Sequence, residues 1–239
     1  MDERISQITD GLKNFFKKAG FTKAVVGLSG GVDSALTAKL AVMALGKENV
    51  TALLMPNEGT SSQHSKDDAR SFAEELSIEH HLIPINAFIE TYDYLPWKGS
   101  EHARMNVQAR ARANILYHYA NTHGAVVLGT GNKTEETLGY FTKYGDGAVD
   151  VMPIASLYKT EVWEMAKALK LPKAIIEKTP SAELRAGHTD ESEIGMSYAE
   201  IDANLQKFEA GGKAETPNEK KLYERIQANR HKSELPPVI

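Results

Sequence analysis

Cysteine is absent from the sequence. This absence excludes disulfides, iron–sulfur clusters, thiolate nucleophiles and zinc bound through cysteine. No apolar run approaches the roughly 18 residues that would span a membrane. The first segment, MDERISQITDGLKNFF, is amphipathic and lacks the apolar core of a signal peptide. We therefore expect a cytoplasmic protein that has no membrane partner.

A basic excess is also missing, since 28 Lys and Arg residues stand against 32 Asp and Glu residues. Proteins that bind nucleic acids in general carry a surplus of positive charge, so we expect no nucleic-acid partner. The balance still allows a local positive pocket for a small anion. With 41% apolar residues the chain can build a sizeable core, and no repeat or linker divides it. Residues 1–239 are therefore predicted to form a single domain.

Short apolar runs alternate with stretches of helical periodicity along the chain. Strands are predicted at 23–28, 50–56, 80–85 and 125–130, with a fifth strand at an edge over 148–155. Helices are predicted at 3–19, 33–45, up to about 76, 101–121, 158–169, 198–209 and 217–230, and irregular segments at 86–100 and 179–195. This alternation predicts an α/β fold with a doubly wound, mainly parallel five-stranded sheet and helices on both faces.

The first predicted strand ends in the stretch SGGVDS, residues 29–34. Gly30 and Gly31 allow positive φ angles and a close approach of the backbone to a bound group. Free N–H groups at the start of the following helix favour an anion, and Ser29 and Ser34 offer hydroxyl donors. Asp33 would repel a phosphate unless a magnesium ion lay between them. The alternative is a glycine-rich turn in which Asp33 caps the helix.

The stretch lacks the lysine of a GxxxxGK[ST] loop and the spacing of GxGxxG. It resembles the SGGxDS pyrophosphate loop of the ATP pyrophosphatases. These enzymes cut ATP between its α and β phosphates, and their fold is of the adenine nucleotide α-hydrolase type. The resemblance assigns ATP binding to the residues that join the strand to the helix: Gly27, Leu28, Ser29, Gly30, Gly31, Val32, Asp33 and Ser34.

Four further stretches resemble one family of this superfamily, the ammonia-dependent NAD synthetases. They are NVQARARANILYHYA (106–120), LGTGNKTEETLGYFTKYGDGAVDVMPIASLYKTEV (128–162), PSAELRAGHTDESEIGMSY (180–198) and HKSELPP (231–237). Together with the loop they cover nearly the whole chain, and the stretch 128–162 is the most specific of them. The sequence departs from the family at Arg185 and His188, where members commonly carry Trp and Gln.

The resemblance implies roles for particular residues. Thr130, Lys159 and Ser181 would contact ATP, and Asp33, Lys159 and Thr130 would be the catalytic residues. Asp33 and Glu135 would hold Mg²⁺. The dinucleotide substrate, deamido-NAD, would be bound by Arg110, Lys143, Asp150, His231 and Lys232.

From the residues alone, several of these positions have ordinary explanations. Acidic residues such as Glu135 and Glu136 are favoured at the start of a helix. The loop and tail residues assigned to the dinucleotide would ordinarily be solvated. Lys159 differs, because a cation at the start of a helix opposes the helix dipole and suggests another role. Arg112 points to a different helix face from Arg110, and either a dimer interface or a surface pair would explain it.

The resemblance implies ATP-dependent conversion of deamido-NAD to NAD, the last step of NAD biosynthesis. The nicotinate carboxylate would attack the α-phosphate of ATP, giving an acyl adenylate and pyrophosphate, and ammonia would then displace AMP. Family members are homodimers. The stretches 57–66 and 179–195 would act as lids, with Gly187 and Gly195 as hinges. Asp150 is a candidate base for ammonium, and that role is left open.

Two other functions compete with this hypothesis. One is another ATP pyrophosphatase: a tRNA-thiolating enzyme usually needs cysteines and a basic surface, and a GMP synthetase needs an amidotransferase partner and a different C-terminal half. The other is a non-catalytic nucleotide-binding module, which would not need Asp33, Glu135 and Lys159 together. A glutamine-dependent synthetase would need a glutaminase domain, typically with a cysteine nucleophile, so free ammonia is the expected nitrogen source.

Overall fold

A parallel β-sheet forms the centre of the computed structural model, which describes residues 1–181, 183–184 and 189–238. Its strands are β1 (Lys23–Gly27), β2 (Val50–Leu54), β3 (Glu79–Leu82) and β4 (Ala125–Leu128), and they lie in the order β3-β2-β1-β4. Every pair of neighbours is parallel, with Val25 opposite Thr51 on one side and Val127 on the other. The predicted α/β fold and its parallel sheet are confirmed.

The predicted fifth strand at 148–155 is wrong for the part of the chain that the structure describes. This segment meets β4 at a single parallel bridge between Leu128 and Val151. The Asp150 carboxylate, rather than a backbone carbonyl, accepts the N–H of Val127 at 2.8 Å. Pro153 then removes a backbone donor that a continuing strand would use. Within the described residues, the sheet therefore has four strands and one isolated bridge.

Helices of very different lengths surround the sheet. They are α1 (Asp2–Ala19), α2 (Val32–Leu45), α3 (Gln63–Glu75), α4 (Asn86–Glu90), α5 (Glu101–His123), α6 (Lys133–Leu138), α7 (Lys159–Ala168), α8 (Lys173–Ile176), α9 (Asp190–Ile194), α10 (Tyr198–Glu209) and α11 (Pro217–Asn229). Each predicted helix is present with similar bounds, whereas α4, α6, α8 and α9 were not predicted. Across the described residues, none of the helices has the length and apolar character needed to span a membrane.

Both faces of the sheet are covered, as predicted. Ala24 and Val26 of β1 pack on one face against α1, α2, α3 and α7, and Val25 packs on the other face against α4 and α5. A third apolar cluster joins α6, α9, α10 and α11 around Tyr198 and Leu205. Because β1 is buried on both faces, its sequence is a continuous apolar run rather than an alternating one.

The position of the site follows from the strand order. From β1 the chain crosses to β2 and β3 on one side and later returns to β4 on the other side of β1. The loops that leave the carboxyl ends of β1 and β4 therefore diverge at a switch point, where open α/β sheets bind ligands. SGGVDS leaves β1, and residues 129–135 leave β4, so both stretches lie at this crevice.

Candidate functional site

A cavity of about 590 Å³ opens at the switch point. Of the predicted ATP-binding loop, it is lined by Gly27, Leu28, Ser29, Gly31, Val32, Asp33 and Ser34. Thr130, Glu135, Lys159 and Ser181 also line it, although they come from distant parts of the chain. The structure therefore brings the predicted ATP and metal residues to the lining of one cavity, with the exception of Gly30.

The pyrophosphate loop is held in shape by its own small residues. Gly30 has φ +80°, and a Cβ there would lie 2.4 Å from the backbone oxygen of Ser65, so this position requires glycine. The hydroxyl oxygens of Ser29 and Ser34 lie 3.1 Å apart, and Ser34 donates to the carbonyl of Gly31 at 3.0 Å. These bonds fix the loop at the first turn of α2, where backbone N–H groups favour an anion.

A buried group of charges lies beside this loop. The Lys159 ammonium donates to Asp33 Oδ2 and lies 3.7 Å from Glu135 Oε1. Asn132 donates its side-chain amide to Asp33 Oδ1 at 2.9 Å and its backbone N–H to Glu135 Oε2 at 3.2 Å. Only 2% of the Lys159 side chain is exposed. One lysine and one asparagine therefore link the two predicted metal ligands.

The pKa values of this group reflect its burial and its charges. Burial acts to lower the pKa of Lys159, but the carboxylates of Asp33 and Glu135 outweigh that effect and raise it above its ordinary value. Burial and the neighbouring Asp33 raise the pKa of Glu135 to about 8, although Lys159 acts in the opposite direction. Shifted carboxylate and ammonium groups lining one cleft are characteristic of functional sites.

Asp202 holds the helices that carry these charges. It is buried on α10 and accepts hydrogen bonds from Thr134 Oγ1 at 2.5 Å, from the Thr160 N–H at 2.9 Å and from the Thr160 hydroxyl at 2.8 Å. Thr134 in turn accepts the N–H of Lys159 at 2.9 Å. The carboxylate therefore fixes the starts of α6 and α7, and with them Glu135 and Lys159.

The residues assigned to the dinucleotide fall into two places. Lys232 lines the large cavity and donates to the carbonyls of Gly139 and Phe141. Nearby, Arg110 donates to the Lys143 carbonyl at 3.3 Å, and Lys143 donates to the carbonyl of His231 at 2.6 Å. Together these contacts tie the turn after α6 to α5 and to the C-terminal segment.

Asp150 lies elsewhere, on a second hollow of about 440 Å³ between α1 and α5. Its carboxylate accepts the Tyr117 hydroxyl at 3.1 Å in addition to the Val127 N–H. Burial and this carboxylate raise the pKa of Tyr117 to about 12. Asp150 is therefore separated from the large cavity that holds the predicted ATP residues.

Several residues of the site could not be recognised from the sequence. Asn132 lies in the quoted stretch 128–162 but was given no role, and Asp202 and Lys178 lie outside the quoted stretches. Arg112 lines the cavity instead of facing a surface pair. Arg112 Nε donates to the Met55 carbonyl at 2.9 Å, and burial lowers the pKa of its guanidinium to about 10. The proposed hinge Gly187 and the departures Arg185 and His188 lie outside the described residues.

The protonation of Glu136 is expected to make the stability of the folded protein depend on pH. Burial and the nearby Asp146 carboxylate raise its pKa to about 7 from 4.5. The unfolded chain therefore ionises first, and the folded state loses stability as the pH rises from about 4.5 to about 7. We expect Glu136→Gln to raise the free energy of unfolding by about 1 kcal/mol at pH 8, after discounting for its partial exposure, and by little at pH 4. Urea unfolding at both pH values measures this, and an equal change at both would contradict it.

The donor set fits a hard divalent cation. Asp33 and Glu135 present carboxylate oxygens, which Mg²⁺ prefers, and the Lys159 ammonium already lies between them as a cation. Among the described residues, no cluster of three or more His, Cys, Asp or Glu side chains could hold a metal ion. A magnesium ion at these two carboxylates would therefore complete its coordination with water and with oxygens of a bound nucleotide.

Fold and site together define a nucleotide-binding α/β protein with a pyrophosphate loop at its switch point. The chain belongs to the NAD synthase family, whose model matches residues 4–236. It is 44% identical over 234 residues to the NH(3)-dependent NAD(+) synthetase of Archaeoglobus fulgidus, and this match covers 98% of this chain and 95% of that protein. Over 231 residues it is 45% identical to the protein of that name from Methanoregula boonei, with coverages of 96% and 93%.

Solved structures agree with this assignment. The NMN synthetase of Francisella tularensis matches with a TM-score of 0.89 and 35% identity, over 100% of this chain and 98% of that one. The NH3-dependent NAD synthetase of Campylobacter jejuni matches with a TM-score of 0.86 and 32% identity over the same shares. The glutamine-dependent NAD+ synthetase of Acinetobacter baumannii matches with a TM-score of 0.69 and 29% identity, and the match covers 99% of this chain and 47% of that chain.

Proposed function

We propose that the protein is a ligase that forms a C–N bond, amidating deamido-NAD to NAD with ATP in the last step of NAD biosynthesis. The observation that carries this is the convergence of the SGGVDS loop, Asp33, Glu135 and Lys159 on one cavity in a chain of the NAD synthase family. A non-catalytic nucleotide-binding module would have no use for the buried charges beside the loop.

The reaction begins with activation of a carboxylate, which is a poor electrophile. One oxygen of the nicotinate carboxylate attacks the α-phosphorus of ATP, and the bond from that phosphorus to the bridging oxygen of pyrophosphate breaks. The products are an acyl adenylate and pyrophosphate. Ammonia then adds to the acyl carbon, AMP leaves with the bridging oxygen, and a proton is lost from nitrogen. No protein nucleophile takes part.

Catalysis in this scheme is positioning and charge neutralisation. The N–H groups of the SGGVDS loop and the Lys159 ammonium neutralise the departing pyrophosphate, and the hydroxyls of Thr130 and Ser181 orient ATP. Asp33 and Glu135 would hold Mg²⁺, which when bound supplies positive charge to the phosphates. The hydroxyl groups of Ser29 and Ser34 keep the loop in the shape that receives the phosphates.

The acid substrate would be held by Arg110, Lys143, Asp150, His231 and Lys232. The linked contacts of Arg110, Lys143 and His231 support a shared surface beside the cavity. Lys232 extends that surface into the cavity itself. The separate position of Asp150 suits a contact with the distal part of a long dinucleotide.

Free ammonia as the nitrogen source is supported by 44% identity to a relative named as NH(3)-dependent, against 29% for a glutamine-dependent one. We further propose a homodimer of single-domain chains, as the family resemblance implies. We place the enzyme in the cytoplasm, where its co-substrate ATP is made and used.

The two proposed lids meet in the structure. Glu183 accepts the Ser62 N–H at 3.3 Å and the Ser62 hydroxyl at 3.2 Å, and it also accepts the hydroxyl of Ser65. Lys178 lies 3.7 Å from the same carboxylate. These contacts join Lys178 and Glu183 to the start of α3 at the cavity wall. Such a closure would exclude water, which hydrolyses an acyl adenylate.

We expect Glu183→Gln to uncouple the two half-reactions. Loss of the carboxylate charge weakens its bonds to both serines and its ion pair with Lys178, so the closed arrangement opens more often. NAD formation per folded enzyme should fall about tenfold, and AMP should form in excess over NAD because water consumes part of the adenylate. The AMP to NAD ratio measures this. Glu177→Gln, an exposed glutamate that pairs with Lys173, is the matched control and should keep the ratio at one.

The proposal is tested by following NAD, AMP and pyrophosphate together in a mixture of protein, ATP, Mg²⁺, deamido-NAD and ammonium. Equal amounts of the three products with ammonium, and none with glutamine, would support it. Nicotinate mononucleotide is assayed in parallel, because the Francisella tularensis neighbour is named as an NMN synthetase. Failure to release pyrophosphate with either acid would overturn the proposal, and turnover of the mononucleotide alone would overturn its choice of substrate.

A further inference from the structure

We propose that Lys159 is an internal cation that competes with the divalent metal ion for Asp33 and Glu135, so that the ion enters only when a nucleotide draws the lysine away. This inference rests on the proposed function only for the identity of the nucleotide, ATP, and of the ion, Mg²⁺. It assigns to Lys159 a second role, as the occupant of the cation position before ATP binds.

The geometry of the two carboxylates carries this inference. Each of them has one oxygen held by Asn132: Asp33 Oδ1 accepts its side-chain amide at 2.9 Å, and Glu135 Oε2 accepts its backbone N–H at 3.2 Å. The other oxygen of each carboxylate faces the Lys159 ammonium, Asp33 Oδ2 in direct contact and Glu135 Oε1 at 3.7 Å. The oxygens left for a metal ion are therefore the two that Lys159 uses.

Charge favours the lysine in the free protein and the metal in the complex. A single ammonium only partly balances two carboxylates, whereas a divalent ion balances both. Mg²⁺, however, requires near-octahedral oxygen coordination, and among the described residues no cluster of three or more His, Cys, Asp or Glu side chains could hold a metal ion. Without phosphate oxygens the ion would have only the two protein carboxylates as anionic ligands, with water completing its coordination, so the lysine keeps the position. Phosphates supply the missing oxygens and give the ammonium a new anionic partner.

The surroundings allow the lysine to move without unfolding the site. Lys159 is the first residue of α7, and its backbone N–H is fixed by Thr134, so only the flexible stem has to swing. The ammonium lies 5.2 Å from the ring of Tyr198 and 5.9 Å from that of Trp163. The ammonium therefore has aromatic rings as neighbours as well as the two carboxylates, and Lys159, Asp33 and Glu135 all line the cavity into which it can turn.

The test measures Mn²⁺ binding by the full chain without nucleotide, following free Mn²⁺ by electron paramagnetic resonance. If the lysine holds the position in at least nine molecules of ten, its removal tightens apparent binding about tenfold or more. Lys159→Gln should show this gain, because its amide can still donate to Asp33 but carries no charge. Lys159→Arg, which keeps the charge, should bind Mn²⁺ as weakly as the wild type. Unchanged or weaker binding in Lys159→Gln would overturn the proposal.

Two further comparisons keep the result interpretable. Lys133→Gln removes a neighbouring cation that pairs with Glu209 at 2.7 Å, and it should leave Mn²⁺ affinity unchanged; a similar gain there would overturn the specific role of Lys159. If Lys159→Gln unfolds, recovery of soluble protein with Mn²⁺ but not with Na⁺ would support the proposal, and failure with both would overturn it. None of these readouts requires NAD to be formed, so they are independent of the test of the proposed function.

Discussion

Replacing Asp33 with alanine is expected to lower pyrophosphate release from ATP at least about a thousandfold. The change removes the carboxylate that contacts Lys159 and accepts from Asn132, and with it one of the two proposed metal ligands. The variant should also lose about 3 kcal/mol of stability, because a buried ammonium loses the carboxylate that it contacts directly, while Glu135 stays at 3.7 Å. Initial rates of pyrophosphate formation and urea unfolding measure the two effects.

Asp93→Ala is the matched control for this variant. Asp93 is exposed and pairs with Arg104 on the surface, so its loss should change stability by less than about 1 kcal/mol and leave the rate intact. Rates are compared per folded molecule, with circular dichroism confirming that both variants are folded at the assay temperature. An Asp33→Ala protein that is folded and within tenfold of the wild-type rate would refute the assigned role.

Gly30→Ala is expected to destroy the pyrophosphate loop. An alanine there must adopt φ +80°, and its Cβ would lie 2.4 Å from the backbone oxygen of Ser65. Because that oxygen belongs to α3 and cannot turn aside, either the loop or the helix must shift. A displacement of about 1 Å at a reacting group can cost about a hundredfold in rate. We expect kcat/KM for ATP to fall by at least that factor and stability to fall by about 3 kcal/mol.

Gly20→Ala is the control that separates the effect of a positive φ angle from the effect of a steric clash. Gly20 ends α1 with φ +75°, and a Cβ there would meet nothing within 4 Å. This variant should lose about 1 kcal/mol from its backbone angle alone and keep full activity. If Gly30→Ala behaved like Gly20→Ala, the close packing of the loop against Ser65 would not matter for nucleotide binding.

Local patterns made much of the fold predictable. The apolar run before SGGVDS predicted β1, and the glycines of SGGVDS predicted the turn and the start of α2. These conformations are determined by residues that are adjacent in the sequence. The long helices were predicted from their periodicity. Helices α6 and α9 were missed, since five or six residues are too few to show a period. The predicted strand at 148–155 failed because Asp150 and Pro153 interrupt its pairing.

The site could be predicted only as far as a family resemblance reached. Asp33 and Lys159 are 126 positions apart, and nothing in either local stretch indicates that they meet. Glu135 shows how two interpretations can both hold: it closes the capping box of α6 with Asn132 and also faces Lys159. Asn132 was not recognised because a capping asparagine is ordinary in sequence. Its second contact, to Asp33, exists only in the folded chain.

If this cavity joins a carboxylate to the α-phosphate of ATP, an oxygen atom of the carboxylate must pass to AMP, and isotope labelling measures that transfer. Deamido-NAD labelled with ¹⁸O in both carboxylate oxygens is converted with ATP and ammonium, and the products are analysed by mass spectrometry. We predict that one labelled oxygen appears in the phosphate of AMP and that the other remains in the amide of NAD. Unlabelled AMP, or label in inorganic phosphate after attack on the γ-phosphate, would exclude attack of the carboxylate on the α-phosphate.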